Sequence, residues 1–435
     1  MKLLLKGARV IDPSRNLDAP MDVLVEDGKI AGCKPGIKAP SGATVLDLAG
    51  MVVVPGLIDM HTHLREPGYE YRETVASGAA AAVAGGFTSI ACMPNTRPVN
   101  DNRSVTEFIL RKAAEANLAN IYPIGAISMN SDGKQMTEFW DLREAGIVAL
   151  SDDGNPVMDA ALMRRAMEYA DSLNLPVIQH CEDKNLSAGG LMNEGYPSTL
   201  LGLPGIPAIA EEIMVARDIL IAEYTGTRIH FAHVSTVGSV RLIRDAKKRG
   251  LQVTAETAPH YFTLTDESLR DYDTNYKVSP PLRVDADVSA VKEGLADGTL
   301  DAIACDHAPH GRTDKEVEFE YAASGMIGLE TSLALSLRLV AEGLLSLPEL
   351  VIRMSARPAN ILGVPGGGLA PGASADLTVI DLKHRWTLTP EDIRSRSRNT
   401  PFLGRDLTGK AVLTMKGGTV THSDLLRDHE HPEQP

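Results

Sequence analysis

The chain has 435 residues, of which 43% are hydrophobic and 23% charged, a composition typical of globular proteins and unlike that of disordered chains. With 43 Lys and Arg against 57 Asp and Glu, the formal charge is −14, so the overall field disfavours binding to nucleic acids. No apolar run reaches the length of a membrane span, and the four widely spaced cysteines indicate free thiols in a reducing compartment. We therefore expect a cytoplasmic protein without nucleic-acid or membrane partners.

Both ends of the chain are predicted to form short strands. Residues 1–54 contain apolar runs broken by turn residues, with a hairpin signal at Asp27 and Gly28. A similar set of runs follows within residues 365–425. We expect the two segments to pair into one small β-sandwich domain, followed by a flexible tail at residues 426–435.

The middle of the chain, residues 55–364, is predicted to form one large domain. Short apolar runs alternate there with segments whose Ala, Met and Leu content favours helix. This alternation predicts a parallel sheet closed into a (β/α)8 TIM-like barrel, and hence an α/β fold, with its active site at the carboxyl ends of the strands. The eight predicted strands are 52–58, 87–93, 120–127, 146–151, 176–181, 228–234, 252–258 and 301–306.

Polar residues follow several of these predicted strands. His61 and His63 lie two residues apart at the end of the first strand, so their side chains should project to the same side. A His or Asp also follows the fourth, fifth, sixth and eighth strands. Imidazole and carboxylate groups that converge in this way predict a metal site, with zinc as the default and manganese, cobalt or iron as alternatives. The residues at those four later strand ends are Asp152 and Asp153, His180, His233, and Asp306.

Two sequence strings carry a specific resemblance to a known family. They are His61-Thr62-His63-Leu64-Arg65-Glu66-Pro67-Gly68, which follows Pro55-Gly56-Leu57-Ile58-Asp59, and Asp306-His307-Ala308-Pro309-His310. Through these strings, and over nearly its whole length, the chain resembles dihydroorotases of the longer, type I group in the amidohydrolase superfamily. The resemblance implies one or two zinc ions. It places His61, His63 and Asp306 at the more buried ion, His180 and His233 at the second, and Asp153, rather than Asp152, between them.

The resemblance also implies an activity. It is the reversible cyclisation of N-carbamoyl-L-aspartate to (S)-dihydroorotate with loss of water, in de novo pyrimidine biosynthesis, with Asp306 as the catalytic acid and base. Arg65, two residues past His63 and thus expected on the same face, would hold the substrate carboxylate; a surface arginine paired with Glu66 or Glu70 is the alternative. The implied substrate contacts are His63, Arg65, Asn95, Ser279, His310, Ser324 and Gly325. Ser279 and Ser324 depart from the family pattern, where Asn and an aromatic residue are common.

Other functions stay open. Hydantoinases and allantoinases bridge their metals with a carboxylated lysine at the fourth strand end, and this chain has no lysine there. An inactive barrel that serves as a scaffold for aspartate transcarbamoylase is a further alternative, which the full set of ligands disfavours. A homodimer is expected from the resemblance, and an association of the active enzyme with aspartate transcarbamoylase stays open. His260 is expected to be a hydrogen-bonded structural residue rather than a ligand.

Overall fold

The computed structural model describes residues 2–426, so residues 427–435 of the predicted tail lie outside the described residues. Strands and helices alternate through most of the chain. The strands, in chain order, are β1 (Lys2–Asp12), β2 (Leu17–Glu26), β3 (Lys29–Lys34), β4 (Thr44–Asp47), β5 (Val52–Pro55), β6 (Leu57–Thr62), β7 (Phe87–Cys92), β8 (Asn120–Gly125), β9 (Ala149–Leu150), β10 (Ile178–Gln179), β11 (Met192–Asn193), β12 (Gly205–Ile206), β13 (Ile229–Phe231), β14 (Val253–Thr257), β15 (Ala302–Ile303), β16 (Leu377–Thr387), β17 (Asp406–Lys416) and β18 (Thr419–Ser423).

Eight strands from the two ends of the chain form one continuous sheet. Its order is β18-β17-β16-β5-β1-β2-β3, and β4 also pairs with β1. Strand β1 serves both β4 and β5 because its register with β2 shifts between Leu5 and Ala8, where Gly7 adopts a φ of +75°. The predicted β domain made from both ends of the chain is thus confirmed, as a continuous sheet around one apolar core.

Eight parallel strands in the middle of the chain close into a barrel. Strands β6-β7-β8-β9 form one run of the barrel wall, and β10-β13-β14-β15 form the other. Parallel bridges from Leu150 to Val177 and from Thr62 to His307 join the two runs and complete the ring. The predicted (β/α)8 barrel is therefore confirmed.

The prediction of a single strand over residues 52–58 is wrong. β5 belongs to the terminal sheet and pairs with β1 and β16, whereas β6 belongs to the barrel and pairs with β7. Gly56 separates the two strands, and its N–H donates to Asp376 O at 2.9 Å. A β-carbon at this position would lie 2.1 Å from Thr88 Oγ1. The chain therefore passes from one sheet to the other at a point where a side chain does not fit.

Helices surround the barrel and bury their apolar faces on the outside of the strands. Small residues such as Ala91, Ala149 and Ala302 fill the inside together with Met60, so the polar side chains are left for the strand ends. The α-helices are α1 (Val75–Ala84), α2 (Arg103–Ala116), α3 (Phe139–Ala145), α4 (Ala160–Ser172), α5 (Lys184–Ser187), α6 (Tyr196–Leu201), α7 (Ile209–Thr225), α8 (Val237–Lys248), α9 (Asp285–Asp297), α10 (Arg312–Lys315), α11 (Leu329–Ala341), α12 (Leu347–Val351) and α13 (Arg357–Leu362).

Candidate metal centre

Two groups of ligand atoms meet at the carboxyl ends of the barrel strands. The ligand atoms of His61, His63 and Asp306 lie within 4.8 Å of one another, and so do those of His61, Asp153 and His233. All five side chains are buried. The arrangement brings together residues from the first, fourth, sixth and eighth barrel strands, and His61 belongs to both groups.

The two neighbouring aspartates after β9 have different surroundings. Asp152 accepts hydrogen bonds from the backbone N–H groups of Ile127 and Ser128, at 2.8 and 3.1 Å, and from the Ser128 hydroxyl. Asp153 instead points into the centre, where its Oδ1 lies 3.4 Å from His61 Nε2 and 3.5 Å from His233 Nε2. Asp152 therefore orders the loop after β8, and Asp153 is the carboxylate available to a metal.

His180 completes the centre. Its Nδ1 lies 2.8 Å from His233 Nε2 and 3.5 Å from Asp153 Oδ1. Its Nε2 contacts Glu182 Oε2 at 3.1 Å, and Glu182 also contacts Lys184 Nζ at 2.5 Å. Glu182 thereby fixes the ring so that Nδ1 is the nitrogen directed at the centre.

The electrostatics of the centre fit a bound cation. Burial disfavours the charged form of His180, but its hydrogen bonds to Asp153 and Glu182 outweigh this and raise the pKa to about 9. The carboxylates thus favour a positive charge at this ring, and a metal ion bound at Nδ1 would take the place of the proton. Burial likewise opposes the ionised form of Asp153, but the surrounding histidines, led by His61, hold its pKa well below the ordinary value. Among the described residues, His61 Nε2 and Asp153 Oδ1 are buried without a hydrogen-bond partner. Buried polar atoms need a partner, and a divalent metal between these ligands would supply one.

Glu256 is a buried residue of the centre that sequence reasoning missed. Its Oε1 lies 2.8 Å from His61 Nδ1, and its Oε2 lies 3.4 Å from His230 Nε2. The contact fixes the His61 ring with Nε2 facing the other ligands, the usual role of a carboxylate behind a metal-binding histidine. A carboxylate inside the apolar run at residues 252–258 was the signal that could have identified it.

Arg65 lies close to His310, but the alternation of side chains along a strand, from which its direction was predicted, is not the reason. Strand β6 ends at Thr62, so the alternation of side chains does not extend to Arg65, whose φ is +61°. This turn buries the guanidinium, whose Nε donates to Pro309 O at 3.2 Å and whose Nη2 lies 3.5 Å from His310 Nε2. The alternative of an exposed arginine paired with Glu66 or Glu70 is therefore wrong.

A cavity of about 330 Å³ opens beside the ligands. Asn95 lines this cavity and contacts two of the ligand residues, because its Oδ1 is 2.9 Å from His63 Nδ1 and its Nδ2 is 3.5 Å from Asp153 O. Lys184 also lines the cavity and was missed from the sequence, where nothing distinguishes it from other surface lysines. The cavity is lined by His63, Arg65, Asn95, Asp153, Gly154, His180, Lys184, His233, Ser279, Asp306, Ala308, His310, Ser324 and Gly325, a set that includes every predicted substrate contact.

Two buried lysines support the loop that carries Ser324 and Gly325. Lys315 Nζ donates to Ala323 O at 2.7 Å and to Gly325 O at 3.1 Å, one on each side of Ser324. Lys277 Nζ donates to Phe319 O at 2.7 Å, and its carbonyl accepts the Gly325 N–H at 2.8 Å. The rim of the cavity is therefore held by two lysine side chains that lie behind it and donate to its backbone carbonyls.

His260 differs from its prediction. Its Nε2 is buried and, among the described residues, has no hydrogen-bond partner. Burial, with repulsion from His233 and His61, lowers its pKa to about 4 in spite of an attractive contribution from Asp306. The ring is therefore a neutral neighbour of the ligand cluster, and the prediction that it is anchored by hydrogen bonds is not met at this nitrogen.

A closed (β/α)8 barrel with histidine and aspartate ligands at its strand ends, joined to a β domain, defines the metal-dependent amidohydrolases. A family model described as Dihydro-orotase-like matches residues 50–239, and one described as Amidohydrolase family matches residues 211–422. Dihydroorotase from Syntrophus aciditrophicus is 61% identical over 98% of this chain and all of its own length, and dihydroorotase from Pelotomaculum thermopropionicum is 57% identical over the same shares. This chain belongs to the dihydroorotase family and is a metal-dependent cyclic amidohydrolase.

Solved structures agree on the architecture. L-Hydantoinase (dihydropyrimidinase) from Arthrobacter aurescens is 27% identical, with a TM-score of 0.85 over 97% of this chain and 96% of its own. A D-hydantoinase is 24% identical, with a TM-score of 0.86 over 98% of this chain and 96% of its own. At this identity the likeness shows the fold alone. In the described part of the chain, no helix is both long and apolar enough to span a bilayer.

Proposed function

We propose that this chain catalyses the reversible cyclisation of N-carbamoyl-L-aspartate to (S)-dihydroorotate and water, a step of de novo pyrimidine biosynthesis. The observation that carries the proposal is one cavity that is lined both by the buried Arg65 and by residues of the two ligand groups. The substrate has a free carboxylate, and Arg65 offers it a charged, planar pair of N–H donors in a protein of net charge −14.

The proposed cofactor is zinc, with one or two ions per chain. His61, His63 and Asp306 would hold the more buried ion, and His180 and His233 the second, with Asp153 between them. Neutral imidazole and carboxylate oxygen are common zinc ligands, and the buried unpartnered atoms of His61 and Asp153 support a cation at this place. When bound, the metal activates water for attack and polarises the reacting carbonyl.

Asp306 is the proposed acid and base. Burial opposes its charged form, but the hydrogen bond to His63, at 3.1 Å from Nε2 to Oδ1, and the other histidines hold its pKa well below the ordinary value. The carboxylate is therefore ionised at neutral pH and can take a proton from the attacking water. It can then return this proton to the departing ring nitrogen, and general acid-base catalysis of this kind contributes about 10²- to 10⁴-fold.

The remaining contacts orient the substrate. Burial, followed by the positive charge of Arg65, lowers the pKa of His310 to about 2, so its ring is neutral. Its Nε2 donates to Ser324 O at 2.8 Å, which fixes the ring against Arg65. Asn95, Ser279, Ser324 and Gly325 line the rest of the cavity, and we propose that they contact the substrate.

A substrate panel with matched arginine variants tests the proposal. The purified protein, loaded with zinc, should interconvert dihydroorotate and N-carbamoyl-L-aspartate and should leave hydantoin and allantoin unchanged. Arg65→Lys should lower kcat/KM about 10- to 100-fold, since a hydrogen bond to a charged group is worth about 1.5–3 kcal/mol. Arg312→Lys, at an exposed arginine paired with Glu316, is the matched control and should leave kcat/KM unchanged. Turnover of hydantoin or allantoin without dihydroorotate would overturn the proposal and support the hydantoinase-like alternative.

We further propose that the enzyme works in the cytoplasm as a homodimer and that it can associate with aspartate transcarbamoylase. An inactive scaffold is disfavoured because all six proposed ligands converge in one centre. Metal analysis of the purified protein separates the two functions, since a scaffold has no need to retain a stoichiometric ion.

A further inference from the structure

A second cavity, here called the arginine cavity, lies beside the substrate cavity. Its volume is about 570 Å³, and its lining includes Arg396 and Arg398. His310 lines both cavities. Its Nε2 contacts Ser324 O on the substrate side, whereas its Nδ1 lies 4.0 Å from Asp314 Oδ2 on α10. The ring of His310 is therefore a wall that the two cavities share.

The two arginines project from a segment whose alternate residues are buried. Arg396 and Arg398 are exposed, whereas Ser395, Ser397 and Asn399 are buried. Arg398 Nη1 donates to the carbonyls of Ser395 and Ser397, which fixes its guanidinium. Within residues 2–426, the guanidinium of Arg396 has no hydrogen bond or ion pair, and neither arginine is paired with a carboxylate. Their remaining N–H groups are available to a ligand.

The carboxylates of the neighbouring wall already have partners. Glu316 accepts from Arg312 Nε at 2.8 Å and from Arg312 Nη2 at 3.0 Å. Asp314 likewise contacts Arg72, with its Oδ2 2.8 Å from Nε and its Oδ1 3.0 Å from Nη2. The two unpaired arginines therefore form a local centre of positive charge in a protein whose net charge is −14. Such a centre attracts small anions against the overall field.

The arginine segment is bonded directly to the rim of the substrate cavity. Asn399 Nδ2 donates to Ala308 O at 3.0 Å and to Gly325 O at 3.1 Å. Asn399 Oδ1 accepts the backbone N–H of His310 at 3.1 Å. Gly325 and His310 are proposed substrate contacts, so a ligand held by this segment would act on the rim that holds the substrate.

The lining indicates the chemical class of the ligand. Guanidinium groups match the oxygens of a phosphate with paired N–H donors. The cavity is far larger than a phosphate group and has the usual size of a site for an organic ligand. Among the described residues, His310 Nδ1 is buried without a hydrogen-bond partner, and it accepts because Nε2 is the donor. A hydroxyl group of the ligand would supply that bond.

We infer that the arginine cavity binds a small phosphate monoester, with its phosphate on Arg396 and Arg398 and its hydroxyl groups against His310. The bound phosphate would lie across His310 from Arg65. Its negative charge would weaken the attraction between Arg65 and the substrate carboxylate. The binding is independent of the substrate, whereas the effect on substrate affinity rests on the proposed function.

Isothermal titration calorimetry on the zinc-loaded full chain, at constant ionic strength, tests the binding. Ribose 5-phosphate should bind once per chain and more tightly than inorganic phosphate, which has no sugar hydroxyl groups. Arg396→Gln should raise the Kd about 10-fold or more, because a hydrogen bond to a charged group is lost. Arg394→Gln is the matched control and should leave the Kd unchanged, since Arg394 is an exposed arginine of the same segment that lines a different cavity.

A nucleotide probe separates two sources of the phosphate. Tyr71 lines the arginine cavity and is 51% exposed, so its ring is available to a base. Adenosine 5′-monophosphate that binds more tightly than ribose 5-phosphate, and loses this advantage in Tyr71→Ala, would identify a nucleotide site. Equal affinities of the two probes would identify a sugar phosphate site. The inference is overturned if neither probe binds, or if Arg396→Gln binds both as tightly as the unsubstituted chain.

Kinetics test the effect on the substrate cavity. Saturating ribose 5-phosphate should raise the KM for dihydroorotate about 2- to 10-fold and leave kcat unchanged, as expected for a charge placed near the carboxylate site. Without ribose 5-phosphate, Arg396→Gln should turn over normally, which also shows that it folds, and adding the probe should not change its KM. Inhibition that persists in Arg396→Gln would assign the phosphate to the metal centre and overturn the inference. Calorimetric binding in a chain that does not turn over dihydroorotate would contradict the proposed function but support this site.

Discussion

At the scale of single residues, the chemistry of the centre depends on side chains behind the ligands. His61 presents Nε2 to the other ligands because Glu256 engages Nδ1, and His180 presents Nδ1 because Glu182 engages Nε2. The two rings therefore face the centre through different nitrogens. Each choice is set by a carboxylate on the far side of the ring.

The role of Glu256 can be tested by substitution. Glu256→Ala leaves the Nδ1 of His61 without its acceptor, so we expect zinc affinity to fall about 10- to 100-fold, the usual effect of losing such a partner. Glu256→Gln keeps an oxygen acceptor and should lose less. Competition with a fluorescent chelator measures the affinity directly. Equal affinities in all three proteins would show that Glu256 does not position His61.

Lys315 gives a prediction for the pH dependence of stability. Burial, followed by repulsion from Lys277, lowers its pKa from 10.5 to about 7. Between these values the unfolded chain holds the proton and the folded protein does not, so the free energy of unfolding rises with pH from about 7 to about 10.5. Below pH 7 both states hold the proton, and Lys315 contributes no pH dependence.

The measurement is chemical denaturation across pH 6 to 11. The contribution of Lys315 is at most about 1.4 kcal/mol per pH unit, and it should disappear in Lys315→Met. Lys134→Met, at a lysine that is 80% exposed, should leave the change of unfolding free energy with pH as it is in the unsubstituted protein. If the free energy of unfolding of the Lys315 variant changed with pH as in the unsubstituted protein, the pH dependence would belong to other groups.

At the scale of elements, the barrel and the terminal sheet are joined by one short step in the chain. β5 ends at Pro55 and β6 begins at Leu57, so Gly56 alone separates strands of different sheets. Its close approach to Thr88 leaves no room for a methyl group. The first metal-binding strand is thus held at its start by the terminal sheet.

A substitution at Gly56 should therefore destabilise the whole molecule. We expect Gly56→Ala to lower the free energy of unfolding by about 1–3 kcal/mol, the cost of inserting a methyl group into packed structure. Gly32→Ala, in β3 of the terminal sheet, is the control, because the added carbon would make only an ordinary 3.5 Å contact with Ile37. Urea denaturation of both variants gives the comparison, and equal stabilities would contradict the proposed constraint.

At the scale of the whole molecule, the proposed metal links the two halves of the barrel wall. His61 and Asp153 come from the first four strands, and His180, His233 and Asp306 come from the last four. A ligand that binds only the folded state stabilises it by mass action. The centre should therefore contribute to stability as well as to activity.

Removal of the metal tests this link. Treatment with a chelator should abolish turnover and lower the Tm, and zinc at 100 times its Kd should restore about 2.7 kcal/mol of stability. Differential scanning calorimetry measures the shift. In Asp153→Asn, which lacks the central carboxylate charge, added zinc should raise the Tm less. A Tm that does not respond to zinc in the unsubstituted protein would mean that the centre does not bind the ion in the folded state.

The sequence by itself determined the barrel, the terminal β domain and the residue types at the strand ends, because apolar runs and their spacing are local properties of the chain. The tertiary structure decided which atoms face the centre. Arg65, His233 and Asp306 have φ values of +61°, +34° and +48°, so their directions follow from loop backbone that no alternation pattern encodes. Glu256 reaches His61 across 195 positions. Such contacts arise only when the barrel closes, since closure alone brings the ends of distant strands together.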